Sequence, residues 1–228
     1  MRINRYLAQK KQTTRRGADE LIKKGQVFIN GKLAVLGDRV AENDQVEVRW
    51  RGQPKPYRYV AYNKPKGIVT HSAQGGDQEI KHTAFIRDVF PIGRLDKDSH
   101  GLIILTNDGR ITERLLGPAH AHEKEYLVKT KNRLRSNFKE KMEAGVKIEN
   151  EKTAKCQVQI IDDQTFKVVL IEGKKHQIRR MCVALFQEVE DLKRIRIMNI
   201  ELGKLNSGAH REIVGDELHT FLHSLELA

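Results

Sequence analysis

Polar and charged side chains are concentrated between Gly93 and Gly101, directly before a run of apolar residues. The segment Arg94-Leu95-Asp96-Lys97-Asp98-Ser99-His100 supplies two carboxylates, two cations, a hydroxyl and an imidazole. Such groups serve as nucleophiles and general acids or bases when a rigid element holds them. Because the apolar run 101–106 predicts a buried strand, this segment is a candidate catalytic loop. A polar surface turn would have the same composition.

Basic side chains form a second cluster, in the segment Glu172-Gly173-Lys174-Lys175-His176-Gln177-Ile178-Arg179-Arg180-Met181-Cys182. Its apolar residues recur at helical spacing, which predicts a strand-to-helix junction with the cations in the first helical turn. A solvated basic helix end would show the same pattern as a binding site.

Several other chemistries lack their sequence signatures. The sequence has no GxGxxG after a strand, no GxxxxGK[ST] phosphate loop and no GxSxG nucleophile elbow. No histidine pair has acidic or cysteine partners at ligand spacing, so we expect no metal site. The two cysteines, Cys156 and Cys182, have no CxxC spacing, and we expect reduced thiols.

The elements that must position both clusters follow an irregular order from Tyr57 onward. A strand is predicted at 57–62, followed by the turn Asn63-Lys64-Pro65-Lys66-Gly67 and a polar loop over 71–82. Because strands do not alternate regularly with crossover helices, the pattern favours an α+β fold over a doubly wound sheet. Further strands are predicted at 101–106, 124–130, 155–161, 165–171 and 194–202, and helices at 110–116, 136–144, 177–186 and 216–226.

The N-terminal part is organised differently. Two short helices are predicted at 2–10 and 15–24, and Asn30-Gly31 between apolar runs predicts a tight hairpin. A further strand is predicted at 45–48. The segment 51–56 has two prolines and a glycine, which are typical of a linker.

The charge of the 228-residue chain is positive and unevenly distributed. Lysine and arginine number 42 against 30 aspartate and glutamate, a net charge of +12. Residues 1–57 hold 13 basic and 6 acidic side chains, so this quarter of the chain carries more than half of the excess. Arg15 and Arg16 stand in the first turn of a predicted helix, where a phosphate would meet both guanidinium groups and free N–H groups. The asymmetry favours a nucleic-acid partner over a merely soluble basic surface.

The sequence also indicates a cytoplasmic location. No apolar stretch approaches the roughly 20 residues of a membrane span, and the first residues are too polar for a signal peptide.

The motifs resemble two known families. The run Arg2–Lys32, with its Arg15-Arg16 pair and Gly25-Gln26-Val27-Phe28-Ile29-Asn30-Gly31-Lys32, resembles the small RNA-binding module named after ribosomal small-subunit protein four. Four segments resemble the pseudouridine synthases, in the branch that carries this module and acts on ribosomal RNA: 63–67, 93–96, 124–128 and 173–181. Three segments are most similar to members that modify large-subunit ribosomal RNA: 90–99, 122–126 and 196–199.

The resemblance implies an enzyme that detaches uracil from its ribose, turns it and rejoins it through carbon. This isomerisation requires no redox cofactor and no metal. We expect an RNA-binding module over 1–51 built from two helices and a hairpin, a linker at 52–56, and a catalytic domain over 57–228 with a mixed, mainly antiparallel sheet and flanking helices. The expected partner is ribosomal RNA or a ribosome assembly intermediate. We expect the protein to act as a monomer and to have no membrane partner.

The resemblance also implies roles for individual residues. Asp96 is the essential carboxylate, which can attack as a nucleophile or remove a ribose proton. Arg179 is its charge-compensating partner, since a carboxylate shielded from water needs a cation. Tyr126 stacks on the uracil, and Arg94 fills the gap left by the extruded nucleotide. The expected RNA contacts are Arg15, Arg16, Lys64, Arg94, Lys174, His176 and Arg180.

Two other functions remain open at the level of sequence. A ribosome-assembly factor would bind folded RNA and perform no chemistry, but it would not need Asp96, Tyr126 and Arg179 together. An RNA methyltransferase would need the glycine-rich cofactor loop that the sequence lacks.

Overall fold

A computed structural model describes the chain apart from residues 11, 14, 50–55, 72–77, 81–85, 87, 118–119 and 228. The chain divides into two compact units, Met1–Tyr57 and Arg58–Ala228. Most of the predicted linker 52–56 and of the predicted polar loop 71–82 lies outside the described residues.

The N-terminal unit contains two helices and a small antiparallel sheet. Its elements are α1 (Ile3–Gln9), α2 (Arg15–Lys23), β1 (Val27–Ile29), β2 (Lys32–Leu33) and β3 (Val46–Val48). Strand β1 lies between β2 and β3, and the turn from β1 to β2 has positive φ at Asn30 and Gly31, as this pair predicts. The apolar faces of both helices are buried together with Val27, Ala34 and Val40. The helix–helix–hairpin prediction is confirmed.

The larger unit is built around one sheet with helices packed on it. Its elements, in chain order, are β4 (Tyr59–Lys64), β5 (Phe90–Ile92), β6 (His100–Thr106), α3 (Arg110–Leu116), β7 (Lys124–Thr130), α4 (Phe138–Glu143), β8 (Lys147–Ile148), β9 (Glu151–Lys152), β10 (Gln157–Ile160), β11 (Thr165–Leu170), α5 (Gln177–Ala184), β12 (Val189–Ile197), β13 (Ile200–Glu201), β14 (His210–Glu212) and α6 (Gly215–Ser224).

The main sheet is mixed and mainly antiparallel, as expected. Among the described residues it has nine strands, seven of them in the order β10-β11-β7-β12-β6-β4-β14, with β13 paired to β12 and β5 paired to β6. Strands β6 and β12 run parallel, and the other pairs run antiparallel. Leu102 and Ile104 join one core cluster while Ile103 and Leu105 join another. Strand β6 is therefore covered on both faces, which explains its continuous apolar run.

Several predicted boundaries are wrong. The strand predicted at 194–202 is two strands, β12 and β13, which pair antiparallel across a turn at Met198. Strand β12 begins at Val189, five residues before the predicted start at 194, because register shifts near Asp191 and Arg196 break the two-residue periodicity. Strand β4 continues through Asn63 and Lys64, where a turn is predicted, and both residues are buried.

Three further observations bear on function. No helix among the described residues is long and apolar enough to cross a membrane. The described part of the chain also holds no group of three His, Cys, Asp or Glu residues arranged to bind a metal ion. Cys156 and Cys182 are free cysteines, and burial raises the pKa of the Cys182 thiol to about 12.

Candidate active site

The loop that carries Asp96 connects β5 to β6 and is held on both sides of this residue by the segment that follows β4. The backbone N–H of Leu95 donates to Thr70 Oγ1 at 3.0 Å, and the Thr70 hydroxyl donates to the Leu95 carbonyl at 2.8 Å. On the other side, the N–H of Gly67 donates to the Lys97 carbonyl at 2.8 Å. These bonds fix the backbone of Asp96 while its side chain stays 38% exposed. A carboxylate held in this way is pre-positioned and accessible.

A close backbone approach fixes the end of the same loop. Gly101 has φ +103°, and a Cβ atom at this position would lie 2.3 Å from the carbonyl oxygen of Arg194. Gly101 and Arg194 are partners in the parallel pair of β6 and β12. Only glycine fits this contact without a shift of the backbone.

His176 provides the basic group nearest to Asp96 among the described ion pairs. Its Nδ1 lies 3.5 Å from Asp96 Oδ2. His176 precedes α5 with φ +51°, so the left-handed turn before the helix brings the imidazole to the loop. The structure thus joins the two clusters that the sequence singles out, the loop 93–101 and the junction 172–182.

The predicted ion pair between Asp96 and Arg179 is not formed among the described residues. One guanidinium nitrogen of Arg179 donates to the Asp98 carbonyl at 3.2 Å, and the other donates to the Val189 carbonyl at 3.4 Å. Arg179 therefore contacts the backbone of the catalytic loop, two residues from Asp96. The helical spacing places Arg179 at the loop, but it does not determine which oxygen the guanidinium binds.

Lys64, one of the predicted RNA contacts, is a buried cation, which argues against that role. Its side chain is fully buried, and Nζ donates to the carbonyls of Pro65 at 2.9 Å and Ile68 at 2.6 Å. Burial lowers the pKa of Lys64 to about 8, and the charges of Asp96 and Asp98 oppose this shift. Lys64 therefore fixes the turn after β4, which in turn holds the Asp96 loop.

Tyr126 lies on β7, on the far side of β12 from the catalytic loop. Arg194 of β12 is paired with Gly101 of β6 on one side and with Tyr126 on the other. Two strand spacings, roughly 10 Å, therefore separate the backbones of Tyr126 and Gly101. The Tyr126 ring is half-buried and packs against the neighbouring core cluster.

Arg194 is a site residue that the sequence analysis misses. It is 4% exposed, its Nε donates to the Leu102 carbonyl at 2.7 Å, and its Nη1 donates to the Arg94 carbonyl at 3.3 Å. Within the described ranges, Arg194 Nη2 and the Ser99 hydroxyl are buried without a hydrogen-bond partner. Its place among the buried positions of β12, whose other buried residues are apolar, is the signal that could have identified it.

The other predicted RNA contacts differ in their surroundings. The Arg94 side chain is exposed. Lys174 forms ion pairs with Glu151 and Glu172, and its hydrogen bond to Glu151 is the main reason why the pKa of Lys174 is raised. Arg180 forms an ion pair with Glu149 at 2.8 Å. Ion pairs at the surface are weak enough to be exchanged for phosphate contacts.

The N-terminal unit has a cationic cavity of its own. The cavity has a volume of about 420 Å³ and is lined by Met1, Arg2, Asn4, Arg5, Arg15 and Arg39. Arg15 is a predicted RNA contact, whereas no local pattern singles out Arg2, Arg5 and Arg39, which the fold brings to the same cavity. Arg16 is exposed and lies outside this lining. Four guanidinium groups around one cavity are suited to bind phosphate.

Comparisons with known proteins agree with this arrangement. Residues 58–184 match the RNA pseudouridylate synthase family, and residues 1–46 match the S4 domain. The chain is 40% identical over 223 residues to the dual-specificity RNA pseudouridine synthase RluF of Escherichia coli (strain K12), with 96% of this chain and 77% of that protein covered. It is 33% identical to the ribosomal large subunit pseudouridine synthase B of Bacillus subtilis (strain 168), with 95% and 93% covered.

A solved structure supports the same family assignment. The crystal structure of a pseudouridylate synthase superposes with a TM-score of 0.72 at 27% identity, and 99% of each chain is covered. The resemblances inferred from the sequence motifs are therefore confirmed for both parts of the chain. This protein belongs to the RNA pseudouridylate synthase family and carries an S4 RNA-binding domain at its N-terminus.

Proposed function

We propose that this protein converts uridine to pseudouridine in ribosomal RNA of the large subunit, with Asp96 as the catalytic carboxylate. One observation carries the proposal: an accessible carboxylate on a loop whose backbone is held on both sides by hydrogen bonds from Gly67 and Thr70. The similarity of the whole chain to a ribosomal synthase supports ribosomal RNA as the substrate, and the resemblance of segments 90–99, 122–126 and 196–199 to members that modify large-subunit RNA supports the choice of subunit.

The reaction breaks the bond between C1′ of the ribose and N1 of uracil and forms a bond between C1′ and C5. The base rotates between these two events, N1 gains a proton and C5 loses one. Asp96 attacks as a nucleophile or removes a ribose proton, and both roles need an ionised, accessible carboxylate. Arg179 supplies positive charge beside it, His176 lies next to the carboxylate, and Tyr126 stacks on the uracil.

The RNA is held by both parts of the chain. Residues 1–51 form the RNA-binding module, 52–56 the linker and 57–228 the catalytic domain. Arg15 and Arg16 contact phosphates from the module, while Arg94, Lys174, His176 and Arg180 contact RNA around the site. The protein acts as a monomer in the cytoplasm, on ribosomal RNA or on a ribosome assembly intermediate, without a cofactor.

The test is a map of pseudouridine in ribosomal RNA from cells with and without the gene. We expect at least one large-subunit position to lose pseudouridine and to regain it when the gene is restored. A lost position in the small subunit alone would contradict the choice of RNA. An unchanged map together with retained RNA binding would support an assembly factor instead.

A further inference from the structure

An aromatic residue occupies the position after α5 where a glycine is favoured. Phe186 has φ +60°. Its N–H donates to the Val183 carbonyl at 2.9 Å, and the N–H of Gln187 donates to the Cys182 carbonyl at 2.8 Å. This pair of bonds is the Schellman motif, whose left-handed residue is usually glycine because a side chain there is strained. Phe186 is bulky, so its presence needs a reason other than the turn.

Packing in the core does not provide that reason. The Phe186 side chain is 73% exposed, and the guanidinium of Arg135 lies 4.6 Å from the centre of its ring. Val183, one turn earlier on the helix, is 66% exposed. An exposed ring with an arginine beside it is the arrangement on which unpaired nucleobases stack in proteins that bind single-stranded nucleic acid.

The segment that carries Arg135 is rich in basic side chains. Residues 131–147, which include Arg135, contain six basic and two acidic side chains. Lys131 and Arg133 form surface ion pairs with Glu188 and Asp163, and these offset part of the charge only weakly. A polyanion fits such a surface better than an apolar protein segment does.

The same face of α5 leads from Phe186 to the active site. The helix buries Gln177, Ile178, Met181 and Cys182, so its outward face carries His176, Arg179, Arg180 and Val183 before it reaches Phe186. The ten residues from His176 to Phe186 span roughly 15 Å along a helix, a distance of a few nucleotides. RNA held at Asp96 would therefore pass over this face.

We propose that Phe186 and Arg135 form a stacking site for an unpaired base of the RNA substrate, a few nucleotides from the target uridine. The identity of the partner as RNA rests on the proposed function. The ring provides the stacking surface, Arg135 provides its cation, and the strained backbone at Phe186 is the cost of presenting the ring to solvent.

The experiment measures the affinity of the full chain for two probes at several salt concentrations: a fluorescein-labelled oligouridylate and a fully paired RNA duplex. Phe186→Gly should bind the oligouridylate at least about 5-fold more weakly, because stacking on one aromatic ring contributes that much. Its salt dependence and its affinity for the duplex should match wild type. Phe186→Trp should retain wild-type affinity. Arg135→Gln should weaken binding and also reduce the salt slope by about 0.7.

Two controls separate this result from damage to the fold. Phe186→Gly should unfold at the wild-type temperature or above it, because glycine removes the strain at φ +60°. Ile161→Ala removes an apolar side chain that is 48% exposed on another part of the unit, and it should leave both affinities unchanged.

Wild-type affinity of Phe186→Gly for the oligouridylate would overturn the proposal, and so would an equal loss on the duplex. Self-association of wild type that Phe186→Gly abolishes, with RNA binding intact, would assign the surface to a second copy and also overturn it. The proposed function is tested separately, by pseudouridine formation in ribosomal RNA. If wild type forms none and Phe186→Gly still loses affinity for the oligouridylate, the stacking site stands and the proposed function fails.

Discussion

At the scale of single residues, an exposed Asp96 carboxylate is surrounded by three basic residues with different contacts. His176 faces the carboxylate directly. Arg179 is always charged but donates to the Asp98 and Val189 carbonyls. Lys64 is buried behind the loop. Substitutions at these three positions therefore test separately the group that faces the carboxylate, the arginine that binds the loop backbone and the buried cation.

Arg179→Met should lower the rate of pseudouridine formation at least about tenfold, because the site loses a positive charge and the Asp98 carbonyl loses its donor. Arg179→Lys should lose less, since the charge is kept. His176→Gln removes the basic group nearest to Asp96, and it should also lower the rate. The measurement is pseudouridine formation by each purified variant, and a wild-type rate for Arg179→Met would remove Arg179 from the site.

Lys64 should leave a signature in the pH dependence of stability. Its pKa is about 8 in the folded chain and about 10.4 when unfolded. Between these values the unfolded state binds more protons, so this group makes the free energy of unfolding rise with pH. From about pH 7.5 to 10, the free energy of unfolding of wild type should rise by up to about 2 kcal/mol relative to that of Lys64→Met, measured by urea unfolding. The control is Lys139→Met, at an exposed lysine, for which the difference from wild type should not change with pH. If the two variants show the same pH dependence of the free energy of unfolding, Lys64 is not a buried, titrating group.

At the scale of elements, the loop between β5 and β6 depends on the parallel contact between β6 and β12. Gly101→Ala would place Cβ 2.3 Å from the Arg194 carbonyl oxygen at φ +103°. We expect a loss of about 2–5 kcal/mol in the free energy of unfolding, because a steric overlap adds to backbone strain.

Gly208→Ala is the matched control for this substitution. Gly208 also has positive φ, +79°, but no atom lies within 4 Å of the added Cβ. Only the strain remains, so its loss should be about 1 kcal/mol. Equal losses for the two variants in thermal or urea unfolding would show that the contact with Arg194 does not hold the loop.

The elements that the sequence predicts correctly are those with an undisturbed local pattern. Strand β7 has its predicted bounds of 124 and 130, and the continuous apolar run of β6 identifies a buried strand. Strand β12 is predicted to start too late because its bulges interrupt the alternation. The burial of Lys64 and the partners of Arg179 and Arg194 depend on contacts between distant segments, which no local pattern specifies. The two clusters that hold Asp96 and His176 could be singled out by their polar composition, and the role of Asp96 comes from the resemblance to the family.

At the scale of the whole molecule, the excess positive charge is concentrated in the N-terminal unit, where four arginines line one cavity. We expect Arg2, Arg5, Arg15 and Arg39 to contact RNA phosphates together. Replacing all four by glutamine should weaken binding of ribosomal RNA fragments and lower the salt slope by up to about 3, since each lost phosphate contact removes about 0.7–0.9.

Lys23→Gln serves as the comparison for this variant. Lys23 is exposed in the same unit and forms an ion pair with Glu20 at 3.2 Å, away from the cavity lining. This substitution should change the salt slope by less than about 0.9, the value for one phosphate contact. A quadruple variant with the wild-type slope would show that the cavity does not bind phosphate.

The central claim is that Asp96 performs the chemistry, and Asp96→Asn tests it most directly. Asparagine has nearly the same shape, so the bonds from Thr70 and Gly67 that hold the loop should survive, but it cannot act as a carboxylate nucleophile or base. The measurement is pseudouridine formation in ribosomal RNA by purified wild type and variant, with RNA affinity determined at one salt concentration. We predict that the variant forms no pseudouridine and binds RNA at least as tightly as wild type. Pseudouridine formation by Asp96→Asn at the wild-type rate would contradict the account.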